Sequence, residues 1–372
     1  MGKRELVLIT GFVLVGCIAY WFTAPPAEDQ DNRLSLGRIT RNVRAEVFGV
    51  RTRHPIRAHL REESTSGLGT LDLEGFRGTV VVAGHDGHEI RAELRGEVFG
   101  LDQREAAAVA RDTALQLERD DDVARLAVLT PTWRYARGRP DLALTINLPT
   151  RMHLRLSEVE GKLDVRGVAS VTLDDVSAGI RIVDVGGVVS GTIERSSADI
   201  SRVGLVDLET GQGELIVSDV SGPVVLRPER GSVSLSRVQG PITVEARDVS
   251  IDIDANLGPL MVEARDGRLI LRDAQAPVTI EAEDLEVRLF MARAVPVNIA
   301  TTDRRLDITL PSSEGVLVDA TSNGGELLVP NALRVEVSDE TQRARGPIGG
   351  GGAPLVVTNR SGSIIIREIP KT

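Results

Sequence analysis

Between Leu154 and about Pro330 the chain repeats itself with a period of about 18 residues, a register that few backbones other than a stacked coil can honour. Leu215, Val233, Ile251, Leu269 and Val287 recur at that spacing. So do Pro223, Pro241, Pro259 and Pro277, preceded by Gly222, Gly240, Gly258 and Ala276. Val224, Ile242, Leu260 and Val278 form a further column, and Leu226, Val244, Val262 and Ile280 another. A fixed period marks a solenoid, whose units bury their apolar faces only by stacking.

Within a unit the alternation is that of strands. Leu215 and Val217 alternate with Ile216 and Ser218, and Val224 and Leu226 with Val225 and Arg227. Each unit therefore reads as two short strands and two corners. Proline has no N–H for a ladder and is confined to a corner. Coils of parallel strands stack at ~4.8 Å, so roughly ten coils would make a rod of about 45–50 Å. Leu235, Ile253 and Leu271 should share one interior column, with Asp252 pointing outward. The period loosens upstream at Ile180 and Ile200 and lengthens downstream at Leu306 and Leu327. Such irregular ends are expected where terminal units close open edges. The strands before the repeat, with their helix, and a hairpin over Leu355–Ile366 beyond the Gly349–Gly352 loop are the expected caps.

Upstream, Gly69–Gly75 and Gly78–Gly84 read as strands, and the Asp86-Gly87 turn predicts a hairpin. His85, Asp86, His88 and Glu89 sit together on that turn without an outside ligand at usable spacing, so a polar tip is preferred to a metal site. The run from Asp102 to Leu117 is rich in alanine and leucine, and Asp102 three residues before Glu105 makes an N-cap, so a helix is expected there. Strands are expected over Val123–Leu129 and Leu142–Leu148.

The N-terminus reads as a membrane anchor. An uncharged apolar run from Leu6 to Thr23 would span about 27 Å as a helix, close to a ~30 Å hydrocarbon core. Tyr20 and Trp21 suit its far interface, and Lys3 and Arg4 its cytoplasmic side. Leu14-Val15-Gly16-Cys17 also resembles the lipobox of bacterial lipoproteins, which would make Cys17 a lipidation site. The residues after Cys17 stay apolar, which favours the uncleaved anchor. Arg33, Arg38, Arg41 and Arg44 follow closely and would suit a cytoplasmic domain instead. From Asp31 to Arg61 the chain carries eight arginines, with Leu36, Ile39, Val43 and Val47 at helical spacing. Gly37 and Gly49 weaken that helix, so a basic spacer is preferred to a lipid-binding helix.

Composition narrows the function. A net charge of −10 argues against nucleic acid, which needs a basic face. The single cysteine excludes an intramolecular disulfide. Asp248, Asp266 and Asp284 recur at the repeat spacing, and calcium would suit a column of oxygen ligands. The Gly-Gly-x-Gly-x-Asp repeat of calcium-binding rolls is missing, so turn-forming aspartates are the preferred reading. Glu245, Glu263 and Glu281 form a second acidic column, which Arg247 and Arg265, two residues along the same face, are expected to neutralise. A carbohydrate-active β-helix enzyme is the main alternative on such a scaffold. Only Phe290 among the aromatics falls in the repeat, and His153 is the sole histidine beyond His88. Neither a sugar-stacking platform nor a histidine-based triad is supported.

Gly69-Thr-Leu-Asp-Leu-Glu-Gly75, Gly84-His-Asp-Gly-His-Glu-Ile90, the expected helix after Asp102, Leu142–Pro149, Glu160–Val165, Asp175–Gly179, Ser218–Gly222 and Ser361–Ile365 carry a family resemblance. The chain resembles, over about Gly67 to Glu368, the β-strand-repeat domains of bacterial envelope proteins grouped under the name "putative adhesin". These motifs are structural, and the resemblance brings no catalytic residues. It implies an envelope protein acting through its surface.

The expected fold is thus all-β: a parallel β-solenoid of about 18 residues per coil with an N-terminal strand and helix cap, preceded by one transmembrane helix. Residues 1–24 are the anchor, 25–66 a basic linker, 67–150 the N-terminal cap, 151–330 the repeats, and 331–372 a loop and capping strands. The expected function is that of a non-enzymatic interaction or scaffold module, without cofactor, on the outer side of a bacterial inner membrane. An envelope sensor of a cell-wall ligand is a further alternative. Thr243, Met261 and Thr279, with Glu245, Glu263 and Glu281, form the strip where an envelope protein or glycan would bind.

Overall fold

The computed structural model describes residues 52–100, 102–129, 141–311 and 314–368. The apolar run over residues 6–23, Cys17 and the linker up to residue 51 lie outside them. Among the described residues no helix is long and apolar enough to cross a membrane. The fold class is corrected accordingly, to an all-β fold with no membrane helix among the described residues. The one helix there, α1 (Gln103–Asp112), has 10 residues and would rise only ~15 Å.

The repeat folds as expected from its period. Strands β8 (His153–Ser157) and β9 (Glu160–Arg166) open it. β10 (Ser170–Ile193), β11 (Ser196–Val220), β12 (Val224–Val238), β13 (Ile242–Asp254), β14 (Leu260–Arg272) and β15 (Val278–Phe290) follow, and β16 (Val297–Thr302) with β17 (Leu306–Leu310) completes it. Each pairs in parallel with the next coil. Leu235, Ile253 and Leu271 are direct ladder partners and at most 1% exposed. Asp252 lies beside Ile253 in sequence but faces outward, where Arg272 pairs with it. At the corners, the prolines contribute what they still have: Val224, Ile242 and Leu260 donate their N–H to the carbonyls of Pro241, Pro259 and Pro277 at 2.8–2.9 Å. The glycine column beside them reflects close stacking, since a Cβ on Gly258 would sit 2.0 Å from the Gly240 oxygen.

Both ends depart from the simple stack. β1 (Thr52–Glu62) occupies the stretch read as the end of the linker. β2 (Thr70–Glu74) and β3 (Arg77–His85) form a coil directly on β8 and β9. β4 (Ile90–Gly100), β5 (Ala114–Asp120), β6 (Val123–Leu129) and β7 (Asp141–Pro149) follow. β6 and β7 lie on the far side of β2 and β3, so the chain's earlier strands are sandwiched between later ones. The Asp86-Gly87 turn does not close a hairpin, because β7 sits between β3 and β4, parallel to one and antiparallel to the other. Helix α1 starts as expected, with the Asp102 side chain accepting from the Glu105 N–H at 2.9 Å. It stops at Asp112 rather than Leu117. Leu115 and Leu117 alternate as strand residues instead, opposite Val128 and Leu126.

At the other end, β18 (Val316–Asn323), β19 (Leu327–Leu328), β20 (Arg334–Ser338) and β21 (Thr341–Ile348) precede β22 (Ala353–Asn359) and β23 (Ile364–Glu368). The last two are not the expected capping hairpin. β22 lies in parallel between β16 and β18, and β23 between β17 and β19. The lengthened step from Leu306 to Leu327 therefore crosses two levels, with Ile364 between them. The outer closure comes from β21, antiparallel to β18, and from β20 beyond it. Antiparallel edges with exposed Arg334 and Glu336 blunt further strand addition.

Candidate functional site

The six residues of the expected strip come together on the outer face of β13, β14 and β15. Thr243, Met261 and Thr279 are ladder partners, and so are Glu245, Glu263 and Glu281. Met261 is 39% exposed, large for an apolar side chain. The acidic column lines an open groove of about 930 Å³ that extends along the coils from Thr192 to Thr358. Arg227, Arg247 and Arg265 share its lining with the glutamates, over a floor that includes Ala246, Ala264 and Ala282. The Thr243–Met261–Thr279 column runs beside the groove and is not part of its lining.

The charge pairing differs from expectation. Arg265 reaches across to Glu283, its direct ladder partner, at 2.7 Å, and not back to Glu263. Arg227 binds Asp207 at 2.9 Å and approaches Glu245 at 3.7 Å. The hydrogen bond to Asp207 raises the affinity of the Arg227 guanidinium for its proton. A ladder partner lies ~4.8 Å away and the next residue on the same face of a strand ~6.8 Å along it, distances that a guanidinium spans equally. Arg265 takes its ladder partner, whereas Arg227 passes over its own, Glu209, for Asp207. Glu263 and Glu281 are left without an ion pair among the described residues. Stacked like charges of this kind are mutually repulsive until a partner neutralises them.

The aspartate column has a backbone role. Asp248, Asp266 and Asp284 occupy corners with φ of 53°, 60° and 52°. That left-handed conformation is costly for most L-residues and tolerated by Asp and Asn. Arg304 binds Asp284 from the next coil. Among the described residues no group of three or more His, Cys, Asp or Glu is placed to hold a metal ion. Asp266→Asn should therefore change stability by less than about 0.5 kcal/mol, and Asp266→Val should cost ~1–2 kcal/mol. Urea melts in chelator compare the two; equal losses would give the carboxylate charge, not the turn, the leading part.

The histidines of the Asp86-Gly87 turn are also accounted for by the turn. His85 Nδ1 accepts from the Gly87 N–H at 2.9 Å while Nε2 lies 3.0 Å from the Glu89 carbonyl. His88 Nδ1 is 3.0 Å from Arg151 Nη1. Phe290 is 43% exposed but lies away from the groove lining.

A second corner carries a ladder that the sequence reading missed. Asp184, Arg202, Asp219 and Arg237 all have φ between 53° and 59°. Arg202 pairs with Asp184 and Arg237 with Asp219, each with an Nε–O distance of 2.6 Å. Hydrogen bonds from these arginines hold both carboxyls below their ordinary range. The signal was available, since Asp and Arg alternate there at nearly the repeat spacing.

No family model and no curated protein matches the sequence. Among solved structures, the chain is similar to a "putative cell adhesion protein" from Clostridium sporogenes, at 11% identity and a TM-score of 0.23, over 85% of this chain and 100% of that one. It is also similar to a "putative adhesin" from Parabacteroides distasonis, at 15% identity and a TM-score of 0.29, over 68% and 94% of the two chains. A third, a "putative adhesin" from Parabacteroides merdae, shows 13% identity and a TM-score of 0.23 over the same shares. Similarity this distant leaves the functional reading to the chain's own geometry.

Proposed function

We propose that the stacked coils act as an adhesin-like, non-enzymatic interaction or scaffold surface, and that the groove beside Glu245, Glu263 and Glu281 is its contact face. The observation that supports this reading is repetition: one carboxylate is offered at the same place on three successive coils. A ladder of identical groups in an open groove suits an extended partner, which can lie across several coils. Chemistry on a single bond calls instead for different groups converging on one point. An envelope protein segment or a glycan chain bearing positive or hydrogen-bond-donating groups is the proposed partner.

The test is proximity labelling from the full chain, run beside a Glu245→Gln/Glu263→Gln/Glu281→Gln variant. Relief of repulsion within the column offsets loss of the exposed Arg227–Glu245 pair, so the urea midpoint should stay nearly unchanged. The neighbours labelled by the native chain should be lost from the variant. An unchanged set of neighbours would move the contact face elsewhere on the molecule.

A further inference from the structure

One column of the stack is apolar and points outward. Pro223, Pro241, Pro259, Pro277, Pro296 and Pro354 are all exposed and follow one another from coil to coil. The N–H groups of Val206, Val224, Ile242, Leu260 and Val278 reach the carbonyls of the first five at 2.8–3.1 Å. Pro296 and Pro354 precede the ladder partners Val297 and Leu355. Leu317, 50% exposed, continues the column beyond Pro354, and Leu205 and the exposed Val188 continue it before Pro223.

The corner accounts for proline but not for this run, because levels without proline hold Val188, Leu205 and Leu317 instead. Thr243, Thr279 and Asn298 on one side, and Gln239 and Gln275 on the other, are polar. The coil of Pro259 widens the stripe, with Leu257 48% and Met261 39% exposed. At ~4.8 Å per level the stripe is about 38 Å long from Val188 to Leu317. Exposed apolar residues gathered in one patch, unlike scattered ones, point to a contact.

Its chemistry selects the occupant. The prolines have no N–H and their carbonyls serve the next coil, so the stripe offers apolar contact and no hydrogen bond. An added β-strand would find no ladder there, and sugar hydroxyls would lose water without replacement. A stripe one residue wide offers roughly 300 Å², against the ~800 Å² that each partner buries in a stable interface, so it does not hold a second copy. A polyproline II segment keeps its backbone in water and has no internal hydrogen bonds. Its turn of three residues rises about 9.3 Å, close to the ~9.6 Å of two levels, so one edge of it meets every second coil. A strand repeats on one face every ~6.8 Å and falls out of step.

We propose that this column is a docking stripe for a proline-rich polypeptide in the polyproline II conformation, about 12 residues long and aligned with the stack. Pro241 and Glu245 lie ~14 Å apart along the chain, so stripe and groove can be occupied together, and neither reading needs the other.

Fluorescence anisotropy of labelled dodecaproline with the full chain tests it, beside a Gly-Ser peptide of equal length and label. Dodecaproline should bind on the order of tenfold more tightly than that peptide. A Leu257→Glu/Met261→Glu chain should lose on the order of tenfold in affinity, because charge then faces the apolar ridge. Ile216→Glu, at a residue 40% exposed but outside the stripe, should bind as the native chain does. All three side chains are exposed, so both variants should keep the native urea midpoint. Failure of dodecaproline to bind, binding equal to that of the Gly-Ser peptide, or equal losses in the two variants would overturn the proposal. Phosphatidylcholine vesicles bound by the stripe in place of the peptide would assign it to lipid instead.

Discussion

Ile253→Asp should lower the stability of the chain by ~4 kcal/mol or more, while Asp252→Ile, one residue away, should change it by only about 0.5 kcal/mol. Ile253 is fully buried between Leu235 and Leu271, its ladder partners on the coils either side. A carboxylate there loses its water and meets only aliphatic carbon; it is driven toward the neutral form, and the apolar contacts are lost as well. Asp252 projects the other way, with a side chain 42% exposed and an ion pair to Arg272. Exposed pairs of that kind contribute little. Urea melts of the full chain provide the comparison. Similar losses at the two positions would mean that the faces of β13 are assigned wrongly.

That prediction could be framed before any coordinates because the period and the alternation leave little freedom. Residues one period apart must stack if the coil is regular, and alternate residues must face opposite ways. The columns through Val224, Leu226, Leu235 and Ile253 followed directly. The acidic strip followed for the same reason, since Glu245, Glu263 and Glu281 share one column. Their ionic partners did not, because a guanidinium at the end of a long side chain can reach along a strand or across to the next coil. Arg166 does the first, pairing with Asp164 at 2.7 Å, and Arg265 the second.

The ends were illegible for a different reason. Leu355 and Val357, then Ile364 and Ile366, carry the same alternation as any internal coil. Solenoid levels present nearly the same cross-section, so such a segment fits equally well on several edges. Nothing in the local pattern says that it enters between two coils already passed by the chain. Helix α1 was overrun for a local reason. Leu115 and Leu117 suit either a helix face or a strand face, and their pairing with β6 decided between them.

Removing the last strands should therefore act at a distance in sequence. A chain ending at Ile348 keeps β18, β19, β20 and β21 but lacks the level that joins them to β16 and β17. Four buried side chains, Leu355, Val357, Ile364 and Ile366, are lost with it. At ~1.5–3 kcal/mol each for burial, the docking of these strands loses its main apolar contribution. The remaining piece, β18 against β21 and β21 against β20, is a three-stranded sheet with no second layer, too small to hold by itself. Backbone amides of residues 316–348 should then exchange with solvent by several orders of magnitude faster, while those of β12, β13 and β14 keep most of their protection. The uncovered edge of β16 and β17 should also make the truncated chain self-associate. Hydrogen exchange followed by mass spectrometry reads the first effect and sedimentation velocity the second. If β22 and β23 were an outer hairpin, their loss would leave 316–328 docked on β16 and β17, and persistent protection there would show that order of stacking instead.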